Sequence, residues 1–204
     1  MFDYENKFLS KGYKLIAGVD EAGRGPLAGP VVVACVIMPL DKQEIIDGVN
    51  DSKKLSPKKR DMLYDQIIQK AVCYTVSIVD HKTIDKINIL EATKQGMCNC
   101  INTMKIKPDI AFIDAVGNLD VNTEILPIIH GDALSYNIAC ASIIAKVTRD
   151  RLMLEYDKQY PQYNFKQHKG YGTAEHIRLL KQYGKCPIHR DTFIKHFVGG
   201  NNEQ

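Results

Sequence analysis

Between Pro30 and Pro39 the chain reads Val-Val-Val-Ala-Cys-Val-Ile-Met, residues 31–38, without one polar side chain. The β-branched content and the two bounding prolines predict a buried strand over Val31–Met38. The run falls far short of the roughly 20 residues that cross a bilayer. A strand this apolar needs neighbours. Leu15–Asp20 predicts a first strand, joined to it by the glycine-rich corner Ala22–Pro30 as an antiparallel pair with a long turn.

The remaining elements follow from caps and periodicity. Ser56-Pro57 is an N-cap with proline at the first helical position, opening a helix to about Lys70. Val72–Val79 predicts a third strand. Asn88 with Glu91 resembles a capping pair for a helix to about Met104. Past Pro108 come a fourth strand, Ile110–Asp114, and a fifth, Ile125–His130. Ser135 or Asn137 opens a long amphipathic helix to about Tyr156. An irregular stretch after Pro161 leads to a helix from Thr173 to a Gly184 C-cap. Three strands, a crossover helix, two more strands and a helical end describe an α/β fold with a mixed sheet. A doubly wound nucleotide-binding sheet is excluded on its fingerprint, because Gly23-Arg24-Gly25 matches neither G-x-G-x-x-G nor the Walker pattern.

At 204 residues the chain has about 1.4 domains' worth of length, which suits one domain over 1–157 with 158–204 as a helical C-terminal extension packed on it. Hydrophobic content of 45% and charge of 25% exclude a disordered chain. Met1–Gly12 has no apolar secretory core, and six cysteines without a C-x-x-C pair argue against a disulfide framework. The expectation is a soluble, cytoplasmic protein. His168, His176, His189 and His196 lack zinc spacing and read as surface or hydrogen-bonding residues. Net charge is +3, split as +5 over residues 146–204 and −2 over the rest, a weak pointer to an anionic partner. The tail Gly199–Gln204 is polar and expected to fray.

Acidic residues recur where strands stop. Asp20 and Glu21 end the first strand, Asp114 the fourth, and Asp132 follows the fifth by two residues. Sites in open α/β sheets form beyond strand ends. Four carboxylates there repel one another unless cations intervene, and an all-oxygen set selects Mg²⁺ or Mn²⁺, two ions balancing four acids. Neighbours in a strand face opposite ways, so a regular strand admits only one of Asp20 and Glu21; a bulge near Gly23 or Gly25 could redirect the other. Spacing alone leaves Glu21 open.

Three further signals accompany the acids. Asp51-Ser52-Lys53-Lys54-Leu55-Ser56-Pro57-Lys58-Lys59-Arg60 puts Lys58 and Lys59 at a helix start, where the dipole disfavours cations and a phosphate would relieve the conflict. A solvated basic loop explains Lys58, Lys59 and Arg60 about as well. Gly23-Arg24-Gly25-Pro26 exposes backbone that a substrate's sugar edge could approach. His168-Lys169-Gly170-Tyr171-Gly172 sets an aromatic between glycines, suited to stacking on a sugar or base.

The block Asp20-Glu21-Ala22-Gly23-Arg24-Gly25-Pro26 resembles ribonuclease HII, the type 2 ribonuclease H family. The likeness continues through Asn50–Leu55, Phe112–Asp114, Gly131-Asp132, Ala141–Arg151 and His168–Tyr171, in the same order and over nearly the whole chain. It implies a ribonuclease H-like fold: a mixed five-stranded sheet flanked by helices, with a helical C-terminal extension. It also implies endonucleolytic cleavage of RNA paired to DNA and of duplex DNA carrying embedded ribonucleotides.

By position, Asp20, Glu21, Asp114 and Asp132 would be catalytic, metal-binding carboxylates. Gly23, Arg24 and Gly25 would read the ribose 2′-hydroxyl, Tyr171 would stack on the sugar beside the scissile phosphate, and Lys53 would hold phosphate. Ser52, Ser142, Lys146 and Lys169 would be further contacts. Asp150, between Arg149 and Arg151, reads instead as a helical ion-pair partner. Two departures stand out: Cys140 where alanine is usual, and Ala115 where glycine commonly follows the aspartate. The type 3 relatives carry an added N-terminal domain and a glutamate as fourth acid; the short lead-in and Asp132 argue for type 2.

The implied chemistry is two-metal hydrolysis in Mg²⁺ or Mn²⁺, cutting 5′ of the ribonucleotide and leaving 3′-hydroxyl and 5′-phosphate ends. The rivals are a non-catalytic nucleic-acid-binding module, which leaves the acids unexplained, and a DNA-directed nuclease of similar fold. Nothing demands more than a monomer.

Overall fold

A computed structural model describes residues 1–198; the tail Gly199–Gln204 lies outside the described residues. The five strands are β1 (Ile16–Ala22), β2 (Val31–Ile37), β3 (Cys73–Val79), β4 (Ile110–Asp114) and β5 (Glu124–Ile128). They form one sheet in the order β3-β2-β1-β4-β5. Pairing is antiparallel among β1, β2 and β3 and parallel from β1 through β4 to β5, so the sheet is mixed as expected.

The helices in chain order are α1 (Asp3–Leu9), α2 (Pro57–Lys70), α3 (His81–Ile87), α4 (Ile89–Thr103), α5 (Gly131–Leu134), α6 (Tyr136–Gln159), α7 (Phe165–His168), α8 (Ala174–Tyr183) and α9 (Asp191–Val198). Short 3₁₀ turns occupy Ser52–Lys54 and Pro161–Tyr163.

The unbroken apolar run of β2 is explained by cover on both faces. Val33, Cys35 and Ile37 pack with Met97, Cys100 and Ile101 of α4 and with Met104 just after it. Ala34 and Val36 pack with Leu63 and Ile67 of α2 and with Ala139, Cys140, Ile143 and Ile144 of α6. The same alternation governs β1, where Ala17 and Val19 join the α4 side. Asp20 is therefore directed to the α6 side.

The caps legible in the sequence are present. Ser56 Oγ accepts from the Lys59 amide, Ser135 Oγ from Ile138, Thr173 Oγ1 from His176, and Asn88 Oδ1 from Leu90 and Glu91. Four features differ from expectation. β1 runs two residues past Asp20, to Ala22. β5 stops at Ile128, and His130 takes a left-handed conformation at φ 57° that turns the chain into α5. α6 is not amphipathic in its first half: Tyr136 to Ala145 is buried all round, because this stretch lies between the sheet and α2. The short helices α1, α3, α5, α7 and α9 have no counterpart among the expected elements, since one to two turns give periodicity too little length to register.

Among the described residues no helix is long and apolar enough to cross a membrane. All six cysteines are unpaired.

Candidate active site

Three carboxylates meet at the carboxyl ends of β1 and β4. Val19 pairs with Ile113 in parallel register, so Asp20 and Asp114 follow side by side on one face. Asp132 arrives from α5, just beyond β5. The turn is held by Asp114 itself, whose Oδ1 accepts from the Gly131 amide at 2.7 Å. One carboxylate oxygen from each of Asp20, Asp114 and Asp132 lies within 4.8 Å of the others.

Asp20 and Asp132 are buried, at 6% and 7% exposure. Burial, then the negative charges of Glu21 and Asp114, pushes the Asp20 carboxyl well above the usual carboxylate range. Asp132 is raised by burial and by Asp114 and Asp51. The donor set is all oxygen, mutually repulsive and largely dry, which fits divalent cations of the hard, oxygen-seeking kind.

Glu21 is not one of the three that converge. β1 stays regular through Ala22, the redirecting turn comes only at Gly23, and Glu21 pairs with Val33 on the far side of the alternation. Its carboxylate lies 3.7 Å from Arg24 Nη1, while Oε2 is buried with no partner among the described residues. Burial raises its pKa, with Arg24 opposing and Asp114 reinforcing the rise.

Of the basic block, Lys53 alone pairs with the cluster, its Nζ 3.8 Å from Asp132 Oδ2. Burial disfavours the ammonium, but Asp132 and Asp20 outweigh it, so its pKa is raised. Lys58 is exposed and Lys59 half-exposed at the start of α2, as a solvated face would be. Ser52 is buried; its carbonyl and that of Leu55 accept from Arg60 Nη1. Asp51 is an acid that sequence reasoning misses, because it opens a run of lysines and follows no strand. It caps the 3₁₀ turn through the Lys53 amide and stands close enough to Asp132 to raise its pKa.

A cavity of about 440 Å³ is lined by Arg60, Asp61, Lys146, Asp150, Arg151, His168, Lys169 and Tyr171 among others, and by none of the clustered carboxylates. Lys146 bridges to Asp150 at 2.8 Å and lies 5.9 Å from the Tyr171 ring centre. Asp150 is thus the helical ion-pair partner that its setting in α6 implies. Tyr171 is 41% exposed. Lys169 donates to the Lys166 carbonyl and is lowered in pKa, chiefly by burial. Ser142 does not present the surface expected of a substrate contact. It is 3% exposed and its hydroxyl is spent inside α6 on the Ala139 carbonyl.

The corner 23–25 divides in two. Gly23 sits at φ +101°, and a Cβ there would fall 2.1 Å from Arg149 Nε, so this glycine serves packing. Gly25 is the open one: a Cβ there would meet only Tyr171 Cε1, at 4.0 Å. The Gly23 and Arg24 carbonyls are occupied, accepting from Arg190 at 2.6 and 2.9 Å. Arg149 and Arg190 are both fully buried; Arg149 lies in the Ala141–Arg151 block, but the sequence assigns neither arginine a role.

His168, His176 and His189 are hydrogen-bonded and His196 is exposed, and the partners of His176 and His189 assign their protons. Cys186 N donates to His189 Nδ1, so His189 Nε2–H donates to His176 Nε2, and His176 Nδ1–H donates to the Tyr171 carbonyl. Burial lowers His176 and His189 to about 4 each, so both are neutral. They steady the segment that carries Tyr171.

Carboxylates gathered at the carboxyl ends of adjacent parallel strands, in a chain that also forms a basic cavity with an exposed tyrosine, fit one class: a metal-dependent nuclease on a ribonuclease H-like sheet. The family model described as Ribonuclease HII matches residues 17–197. The chain belongs to the ribonuclease HII family, and so to the ribonuclease H endonucleases. Its relatives include the ribonuclease HII of Acetivibrio thermocellus, 56% identical over 96% of this chain and 75% of that one. The ribonuclease HII of Caldicellulosiruptor bescii is 53% identical over 97% of this chain and 95% of its own. Among solved structures, ribonuclease H2 from Pyrococcus horikoshii OT3 superposes with a TM-score of 0.78 at 30% identity, covering 91% of this chain and 98% of that one.

Proposed function

We propose that this protein hydrolyses the RNA strand of RNA/DNA hybrids and cuts on the 5′ side of ribonucleotides embedded in duplex DNA, leaving 3′-hydroxyl and 5′-phosphate ends. The observation that carries this reading is the three-carboxylate cluster at the end of β1, the strand that runs directly into the corner where Gly25 opens toward Tyr171. Asp20, Asp114 and Asp132 would hold two divalent ions, Mg²⁺ or Mn²⁺, with Glu21 completing the set through its unpartnered Oε2. When bound, the ions supply an activated water and neutralise charge on the leaving oxygen.

The chain's own residues do the selecting. Gly25 leaves room for a sugar edge that any Cβ would narrow, and Tyr171 offers a ring for the sugar to rest on. With their carbonyls engaged, Gly23 and Arg24 leave backbone amides as the groups able to meet a 2′-hydroxyl, which is what separates RNA from DNA locally. Lys53, Lys146 and Lys169 would hold phosphate, the last two by exchanging Asp150 and the Lys166 carbonyl for it, with Ser52 supporting the Lys53 turn, and duplex affinity should fall with salt. Ser142 we assign no direct contact. Residues 158–204 act as an extension of the catalytic domain 1–157, a monomer suffices, and six unpaired thiols accord with a cytoplasmic setting.

The test is cleavage of three matched duplexes, with and without Mg²⁺: all-DNA, DNA with one ribonucleotide, and RNA/DNA hybrid. Metal-dependent cutting of the last two alone is expected. Cutting of all-DNA would make the protein a DNA-directed nuclease, and cutting of none a binding module.

A further inference from the structure

We propose that Arg190, assisted by Arg149, is the positioning residue that aims the 23–25 backbone at the sugar and so sets how strictly a ribonucleotide is preferred. The proposal rests on the functional reading in which the 23–25 corner and Tyr171 are the two walls of the sugar site.

Both guanidinium groups are 0% exposed, and among the described residues neither forms an ion pair. A cation buried without a counter-ion is unfavourable unless its hydrogen bonds are complete. Here every bond goes to a backbone carbonyl. Arg190 donates from Nε to Gly29, from Nη1 to Arg24 and from Nη2 to Gly23. Arg149 donates from Nε to Pro30, from Nη2 to Ala28 and from Nη1 to Lys169. The rigid fork of one guanidinium thus fixes two successive carbonyl directions, a task that lysine's point charge cannot perform.

The consequence lies on the opposite edge of each peptide. In a planar trans peptide the N–H points away from the preceding C=O. Drawing the Gly23 and Arg24 carbonyls inward to Arg190 therefore turns the Arg24 and Gly25 amides outward. Among the described residues neither amide donates to another protein group. Gly25 itself lies against Tyr171, whose Cε1 is 4.0 Å from where a Cβ would stand.

Arg149 fixes the other dimension of the site. It ties the Ala28 and Pro30 carbonyls, just past the corner, to that of Lys169; its guanidinium lies 5.7 Å from the Tyr171 ring centre, and the Leu27 amide donates to the Gly170 carbonyl at 2.8 Å. The two arginines, from distant parts of the chain, set both the direction of the amides and their distance from the aromatic wall. Neither touches substrate. They act through the backbone they hold.

The experiment uses the full chain in an Asp20→Asn background that binds without cutting. Dissociation constants are measured for an all-DNA duplex and for the same duplex with one ribonucleotide, before and after adding Arg190→Lys. Loss of folded protein lowers the amount that binds but leaves the ratio of the two constants unchanged, so the ratio reads positioning alone. The preference for the ribonucleotide duplex should fall about tenfold, the worth of one well-aimed hydrogen bond or two, while all-DNA affinity is unchanged. A ratio within twofold of the parent overturns the proposal. A parent with no preference removes the sugar-site reading itself, and the proposal with it. Should Arg190→Lys fail to fold, Arg149→Lys takes its place in the same measurement: a tenfold fall supports the proposal and a ratio within twofold overturns it.

Discussion

Replacing Asp20 by asparagine should abolish cleavage and make the metal-free protein more stable. The side chain keeps its shape, and Oδ1 can still accept from the Glu21 amide, now at 2.7 Å. What it loses is charge, at a point where ligand oxygens of three carboxylates lie within 4.8 Å of each other. At an effective dielectric of about 20, each such pair repels by roughly 3 kcal/mol. Protonation limits the total: a carboxyl with a reference value of 3.8 is relieved by taking up a proton once the strain passes about 4 kcal/mol at pH 7. The gain on substitution should thus be roughly 2–4 kcal/mol, or about 5–15 °C in melting temperature for a chain of this size.

The sign with pH follows. A carboxyl whose folded pKa is raised contributes stability at low pH that is lost as pH rises through the folded value. The advantage of the variant should be largest near pH 8 and shrink toward pH 4. Urea unfolding in EDTA at several pH values measures it, and added Mg²⁺ should stabilise wild type more than the variant. If the variant in EDTA at pH 8 is no more stable than wild type, the repulsive cluster is not there.

Three other outcomes are expected. Gly23→Ala should destabilise by at least about 3 kcal/mol, because its Cβ would press on Arg149 at 2.1 Å, whereas Gly25→Ala should shift stability by less than about 1 kcal/mol yet slow cleavage at a single ribonucleotide; unfolding and cleavage assays on the pair separate the two roles. His176 and His189, lowered from 6.5 to about 4, contribute stability that is present above pH 6.5 and lost as pH falls toward 4, at up to about 1.4 kcal/mol per pH unit for each ring; NMR titrations with midpoints near 6.5 would exclude the neutral network. Ala115 holds φ 51°, a conformation that favours glycine, so Ala115→Gly should stabilise by roughly 0.5–1 kcal/mol in thermal unfolding.

Much of the fold is legible in the sequence because its signals are local. The apolar run of β2 and the hydroxyl or amide caps at Ser56, Asn88, Ser135 and Thr173 act within a few residues of themselves. The short helices are illegible for the converse reason. α1 is held by what it packs on, with Phe8 against Phe112 at 5.1 Å between ring centres and Glu5 accepting from Ser135 Oγ. Ser142 escapes sequence reasoning because a motif position does not say whether a hydroxyl faces the groove or its own helix.

The amino-acid order alone determined the residue types: acids at strand ends, a glycine-rich corner, an aromatic between glycines, and blocks specific enough to name a family. Which acids share one pocket was decided by the parallel register of β1 with β4 and by the turn into α5, since a side chain's face depends on where pairing begins and ends. The buried arginines belong wholly to the tertiary level. Their partners are backbone carbonyls, all but that of Lys169 over a hundred residues away, and a carbonyl looks the same in every residue of a sequence.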